Sequence, residues 1–138
     1  MKHNIIIDTG PIVAFINARD KYHEWTKEQW SRIIPPLLTC EAVLSEACFL
    51  LRGIHGSPEI VLELLKRGIL NLPFKMEDSL EQIKWLLKKY SNVPMSLADA
   101  CLVRMSEIYS DSAIFTLDSD FSIYRKNKRN VIPLITFR

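Results

Sequence analysis

Five carboxylates stand where the chain could bring acidic chemistry together. Asp8 follows the run Ile5-Ile6-Ile7, Asp118 and Asp120 follow Ala113-Ile114-Phe115-Thr116-Leu117, Asp99 lies in Ser96-Leu97-Ala98-Asp99, and Glu46 lies within an apolar helical stretch. Hard divalent cations take oxygen ligands, and carboxylates supply both the oxygen and the opposing charge. Each residue also has a plain structural reading. Asp8 before Thr9-Gly10 can turn or cap the chain. Ser96 to Asp99 reads as a capping box, with Asp99 favoured by the helix N-terminus. One of Asp118 and Asp120 is explained by an Asx-turn or an N-cap. Both together are harder to explain, because like charges at that range repel unless a cation intervenes. At about 100° per residue, Glu41, Ser45 and Arg52 share the solvent arc of their helix, and Glu46 falls off that arc between Ala42 and Leu50. A carboxylate on an apolar face calls for a metal, a basic partner or an internal ion pair.

The elements that must position these groups follow from pattern and punctuation. Ile5–Ile7 and Ala113–Leu117 are apolar runs without alternation, as in strands buried on both faces. Pro11 opens a helix to Asn17, a second covers Tyr22 to Trp30, and Pro35-Pro36 precedes a short strand at Leu37-Leu38-Thr39. Further helices are predicted over Glu41–Arg52, Ser57–Arg67, Glu77–Tyr90 and Ser96–Tyr109. Strands are predicted at Ile69–Leu72 and Val131–Ile135, the last at an edge because Pro133 cannot donate to a ladder. Strands alternating with helices give an α/β sandwich on a mainly parallel central sheet of about five short strands. Ligands of such sheets bind beyond the strands' carboxyl ends, where Asp8, Asp118 and Asp120 stand.

Composition narrows the class. The chain of 138 residues suits one domain, 1–138, and its 48% apolar and 25% charged residues are those of a globular protein. Lysine and arginine number 18 against 16 acids, a net charge of +2, which does not by itself announce a nucleic-acid binder. Cys40, Cys48 and Cys101 are odd in number and lack C-x-x-C spacing, which disfavours zinc and a disulfide framework and suits a reducing cytoplasm. Cys48 and Cys101 read as core packing. His3, His23 and His55 are scattered. Asp8 interrupts the opening apolar run too early for a signal peptide, and no stretch approaches the roughly 18 apolar residues of a membrane span.

Taken in order, Ile5-Ile6-Ile7-Asp8-Thr9-Gly10-Pro11, Ala42-Val43-Leu44-Ser45-Glu46-Ala47, Ser96-Leu97-Ala98-Asp99-Ala100 and Thr116-Leu117-Asp118-Ser119-Asp120-Phe121 resemble the four motifs of PIN domains. The chain is similar to the VapC-type toxins of toxin–antitoxin pairs. The resemblance implies a PIN-like sandwich and a ribonuclease that uses one or two Mg²⁺ or Mn²⁺ ions. It implies a catalytic quartet of Asp8, Glu46, Asp99 and Asp118. The metal would fall to Asp8, Asp99, Asp118 and Asp120, with Thr116 supporting and Glu46 positioning or deprotonating the attacking water. Glu41 competes for the second motif, and the helical-face argument favours Glu46. The implied partners are an RNA substrate, an antitoxin protein and a second copy of the chain, without a membrane.

RNA needs positive charge near such a centre. Arg125, Lys126, Lys128 and Arg129, in the run after the last acidic motif, are the candidates for phosphate contacts, against the alternative of a solvated loop. Tyr22, Trp25 and Trp30 read either as core packing or as part of a clamp for an antitoxin peptide. Three rivals are weighed. Asp8-Thr9-Gly10 resembles the triplet of retroviral-type aspartic proteases, which need a β-rich fold. A non-catalytic RNA- or protein-binding module would not need an intact acidic set. A phosphotransfer enzyme with Asp8 as nucleophile would want a second aspartate two residues on and a Gly-rich phosphate loop.

Overall fold

A computed structural model describes residues 4–137. His3, with Met1 and Lys2 of the opening tract, lies outside the described residues. The innermost strand, β1 (Asn4–Ile7), places Ile5, Ile6 and Ile7 in the core, each at most 6% exposed. Both faces of the strand are covered, so the run needs no polar alternation. It pairs in parallel with β2 (Leu37–Leu38) on one side and β4 (Ser112–Phe115) on the other. With β3 (Leu70–Asn71) and β7 (Leu134–Ile135) the sheet runs β3-β2-β1-β4-β7, parallel throughout.

Six helices flank the sheet: α1 (Thr9–Ile16), α2 (His23–Ser31), α3 (Glu41–Leu50), α4 (Ser57–Lys66), α5 (Leu80–Lys89) and α6 (Leu97–Ile108). From β1 the chain steps outward through β2 to β3, then returns past both to β4. Right-handed crossovers therefore put α1 to α4 on one face and α5 and α6 on the other. The reversal of direction falls between β1 and β4. That is the switch point of the sheet, where the carboxyl ends of two neighbouring strands feed loops of opposite sense.

Trp25 and Trp30 of α2 and Tyr22 at its N-cap form an aromatic cluster with Phe15, Phe115 and Phe137. Trp30 is 6% exposed, stacks on Phe15 at a centroid distance of 4.2 Å and meets Phe115 edge-on. Trp25 presents its ring to Phe115 and Phe137, and Tyr22 to Phe137. Trp30 is therefore a core residue, while Tyr22 and Trp25 are half-buried and keep part of their rings at the surface.

Two expectations about the last third are corrected. The single strand expected at Val131–Ile135 is two, β6 (Asn130–Val131) and β7, separated at Ile132-Pro133. β6 pairs antiparallel with β5 (Arg125–Lys126), so the basic run is a hairpin rather than a loop. Its turn is made by Asn127 and Lys128 with φ of 51° and 71°, a conformation asparagine tolerates and lysine seldom adopts. β7 lies at the sheet edge, where Pro133 contributes its carbonyl to Ile114 N–H at 2.9 Å. The helix expected from Glu77 opens as a 3₁₀ turn, Met76–Ser79, before α5. Among the described residues, no helix is long and apolar enough to cross a membrane.

Candidate active site

Asp8 is where β1 becomes α1. Its N–H still belongs to the sheet, donating to Phe115 O at 2.9 Å, while its side chain caps the helix by accepting Thr9 N–H at 2.7 Å. The second carboxyl oxygen accepts the hydroxyl of Thr116 at 2.7 Å, and the same hydroxyl accepts Asp118 N–H at 2.9 Å. Thr116, fully buried one residue beyond β4, thus ties the ends of β1 and β4 together. Asp8 is 7% exposed, and its pKa rises from 3.8 to about 6. Burial is the main cause, Thr116 and Thr9 oppose it, and the charges of Asp99 and Asp118 add to it.

Asp118 caps a short 3₁₀ helix, Ser119–Ser122, accepting Asp120 N–H at 2.9 Å. Asp99 occupies the first turn of α6. Its N–H donates to Ser96 Oγ at 3.0 Å, so the capping reading holds. The carboxylate has another attachment: Tyr124 donates its hydroxyl to Asp99 Oδ2 at 2.8 Å. Burial raises the pKa of Asp99, against the hydrogen bonds from Tyr124 and Ser96. Tyr124 is fully buried, packed edge-on against Tyr90 and Phe121, and burial with the neighbouring Asp99 carboxylate drives its phenol well above the ordinary range. Tyr124 is a site residue that the sequence patterns above do not single out. Its sole signal in the sequence is the spacing Phe121 to Tyr124, which puts both rings on one side of a capped turn.

Glu46 departs from expectation in its surroundings. It is exposed rather than sunk in the apolar face, and its Oε2 lies 3.4 Å from Thr9 Oγ1, a long contact across to α1. Solvent reaches it because it borders a cleft. The cleft, of about 450 Å³, is lined by all five carboxylates, Asp8, Glu46, Asp99, Asp118 and Asp120, together with Gly10 and Leu117 among others. Glu41, the competing acid of the same helix, lines a different pocket. At Gly10 a Cβ would come within 3.3 Å of Leu117 Cβ, tighter than most such contacts, so a side chain there would press on the segment between Thr116 and Asp118.

The four basic candidates do not join this cleft, and none of its lining residues is lysine or arginine. Arg125 directs Nη1 to the carbonyls of Ser122, Ile123 and Tyr124 at 2.8–3.1 Å. Lys126 is 7% exposed and donates to Ser110 O at 3.3 Å. Lys128 lies over the Trp85 ring at 5.1 Å, and Arg129 is exposed at the hairpin.

Among the described residues, no three His, Cys, Asp or Glu side chains are arranged to hold a metal ion. The cleft carboxylates are instead directed by their own hydrogen bonds, and ligation of one ion by several of them requires side-chain rotation. The donor set fits a hard cation nonetheless. It offers only carboxylate oxygens as charged groups, and Asp8 is buried against the fields of Asp99 and Asp118 without a compensating base in the lining.

A mainly parallel sheet with acids at its switch point, at the start of α6 and on α3 defines a known class. The chain belongs to the PIN-domain family, whose model matches residues 5–127. Its fold is also that of VapC20 of Mycobacterium tuberculosis, a toxin that cleaves the sarcin–ricin loop, with a TM-score of 0.79 over 94% of this chain and 100% of that one. The two are 24% identical, so the likeness speaks for the fold. No curated protein matches the chain.

Proposed function

We propose that this chain is a metal-dependent endoribonuclease acting as the toxin of a toxin–antitoxin pair. The observation that carries the reading is the meeting of Asp8, Glu46, Asp99, Asp118 and Asp120, from four separate segments, in one cleft. Caps and turns account for aspartates at several helix starts. They do not account for a shared cleft, nor for a carboxyl held at a pKa of about 6 by burial.

In this reading Asp8, Asp99 and Asp118 hold one or two Mg²⁺ or Mn²⁺ ions, with Asp120 beside them. A cation held there would supply charge to offset that of the phosphoryl oxygens and would make water a better nucleophile near neutral pH. Thr116 fixes the direction of Asp8, and Tyr124 that of Asp99. Glu46, exposed in the lining of the cleft, would position the attacking water or help to deprotonate it. VapC20 cleaves the sarcin–ricin loop, so a structured RNA is the first substrate to offer. The same reading implies a cytoplasmic protein, with an antitoxin protein as regulator and a second copy of the chain as a further partner.

The test is cleavage of a mixed pool of structured RNAs in Mn²⁺, in Mg²⁺ and in EDTA, with Asp99→Asn alongside. Metal-dependent cleavage that the variant loses supports the nuclease. A folded protein that neither binds Mn²⁺ nor cuts RNA would overturn it in favour of a non-catalytic RNA- or protein-binding module.

A further inference from the structure

A groove outside the acidic cleft lies between α5, α6 and the β5–β6 hairpin. It encloses about 450 Å³, with Gln82, Trp85, Arg104, Glu107, Asn127 and Lys128 among its walls. Its acids are answered within the protein. Glu107 accepts Arg104 Nη1 at 3.3 Å and the N–H of Asn127 at 2.7 Å, and Glu81 is met by Lys84 at 3.5 Å. Arg104 is pinned in turn, donating Nε to Ser79 Oγ at 3.0 Å. Trp85 and Lys128 are differently placed. The indole keeps 38% of its surface exposed on α5, and Lys128 Nζ stands 5.1 Å from the ring centroid. Lys128 reaches that position from a turn in which both it and Asn127 have positive φ. Such a backbone is costly for lysine and persists only where its surroundings fix it. Here the Glu107 bond to Asn127 and the Trp85 ring do so.

We propose that this groove is a second RNA-binding subsite, in which an unpaired base stacks on Trp85 while cations around it meet the flanking phosphates. Lys88 and Lys89 follow Trp85 by three and four residues, so both share its side of α5, and Arg129 follows Lys128. All four cations are exposed, and among the described residues none of them is in a salt bridge. An exposed ring beside unmatched cations suits a nucleotide, whose base offers a π-face and whose phosphates offer charge. An acidic peptide would use the cations and leave the indole idle. Gln82 and Asn127 carry amides that donate and accept, as the edge of a base requires. On entry of a base, Lys128 exchanges its contact with the ring for one with phosphate. The groove also lies within reach of the acidic cleft. α6 runs from Asp99 in the cleft to Glu107 in the groove, about 12 Å along its axis. The inference rests on RNA as the ligand in the nuclease reading, but binding here needs neither metal nor the acids of the cleft.

The probe is a short single-stranded RNA of mixed sequence carrying a fluorophore. Its anisotropy is followed with the full chain in EDTA, where the acids of the cleft repel phosphate. Trp85→Leu keeps an apolar side chain without the ring and is expected to weaken binding by about 10-fold or more. Lys88→Ala with Lys89→Ala should flatten the salt dependence by about one to two units of slope. Lys27→Ala, on α2 across the sheet, should change neither. A duplex of the same sequence should bind less tightly, since its bases are already stacked. A single strand bearing 5-iodouridine, crosslinked by light to the unaltered protein, should mark the peptide that contains Trp85. That map decides the matter even where a variant folds poorly. Unchanged affinity in a folded Trp85→Leu protein, a crosslink map without that peptide, or equal binding of a glutamate-rich peptide would overturn the subsite and leave the nuclease reading untouched. Binding that depends on Trp85 in a protein that cuts no RNA with Mn²⁺ would support the subsite and count against the nuclease.

Discussion

At the acidic cleft, groups from distant segments converge, and three of the five carboxylates are aimed by hydrogen bonds. At the β5–β6 hairpin, basic groups that are near neighbours in the chain diverge, each meeting its needs locally. Asp8, Asp99 and Asp118 are pointed by Thr9, Thr116, Tyr124 and the N–H of Asp120. Arg125 curls onto the carbonyls behind it, Lys126 turns into the protein, and Lys128 covers Trp85. Like charges brought together at a sheet's switch point are a cost the fold sustains with dedicated hydrogen bonds. Like charges along a hairpin separate at almost none. A functional concentration of charge is therefore recognised by the structure that maintains it, and the number of charges in a run says little.

The sharpest way to break this contrast is at the acids of the cleft. Asp99→Asn is expected to reduce metal-dependent RNA cleavage by at least about 100-fold, measured as initial rate in Mn²⁺, because it removes a charge at the reacting centre; loss of an orienting partner costs about 10–100-fold. Tyr124→Phe comes next. It leaves the ring packing in place and deletes the hydroxyl bond to Asp99, so Mn²⁺ affinity by calorimetry should weaken by about 10-fold or more with little change in Tm.

Asp8 offers a measurement that needs no substrate. Its carboxyl titrates near 6 in the folded chain against an ordinary 3.8, so the folded state holds a proton that the unfolded state has lost between those values. The contribution of Asp8 to the stability of the metal-free protein should be fully present below pH 4, fall as pH rises through that window, and level above it, by about 3 kcal/mol in all. Asp8→Asn should accordingly be the more stable protein at pH 7 and gain nothing near pH 4, as read by denaturant unfolding at the two pH values. Added Mn²⁺ should stabilise the parent and not the variant. The smallest effects belong to the hairpin. Lys128→Ala and Arg129→Ala should each flatten the salt dependence of RNA binding by about one unit of slope at most. Lys126→Ala should instead lower stability by about 1–3 kcal/mol through its buried position.

What could be read in advance follows from the same contrast. β1 and β4 announce themselves because a strand covered on both faces is apolar at every position, and Pro35-Pro36 falls between α2 and β2 as its punctuation implies. The acids at their ends were legible for the same reason, since the strand boundary is also the site boundary. Three things were not. Lys128 takes a left-handed conformation that its type disfavours, so the β5–β6 turn left no trace. The bond from Tyr124 to Asp99 joins residues whose only relation is the tertiary fold. The helical arc placed Glu46 off the solvent face, but periodicity could not distinguish a core from a cleft that admits water.

The edges of the sheet bear on how molecules of this protein meet. β3 and β7, the two outermost strands, are two residues long, and the proline just before β7 lacks the amide hydrogen a pairing strand would require. An unpaired strand edge is a template on which another chain can add itself, and repeated addition leads to fibres. Here the template is nearly too short to copy. Any association between copies would consequently be steered toward side-chain surfaces, which can close on themselves as a defined pair, and away from open-ended growth by backbone pairing.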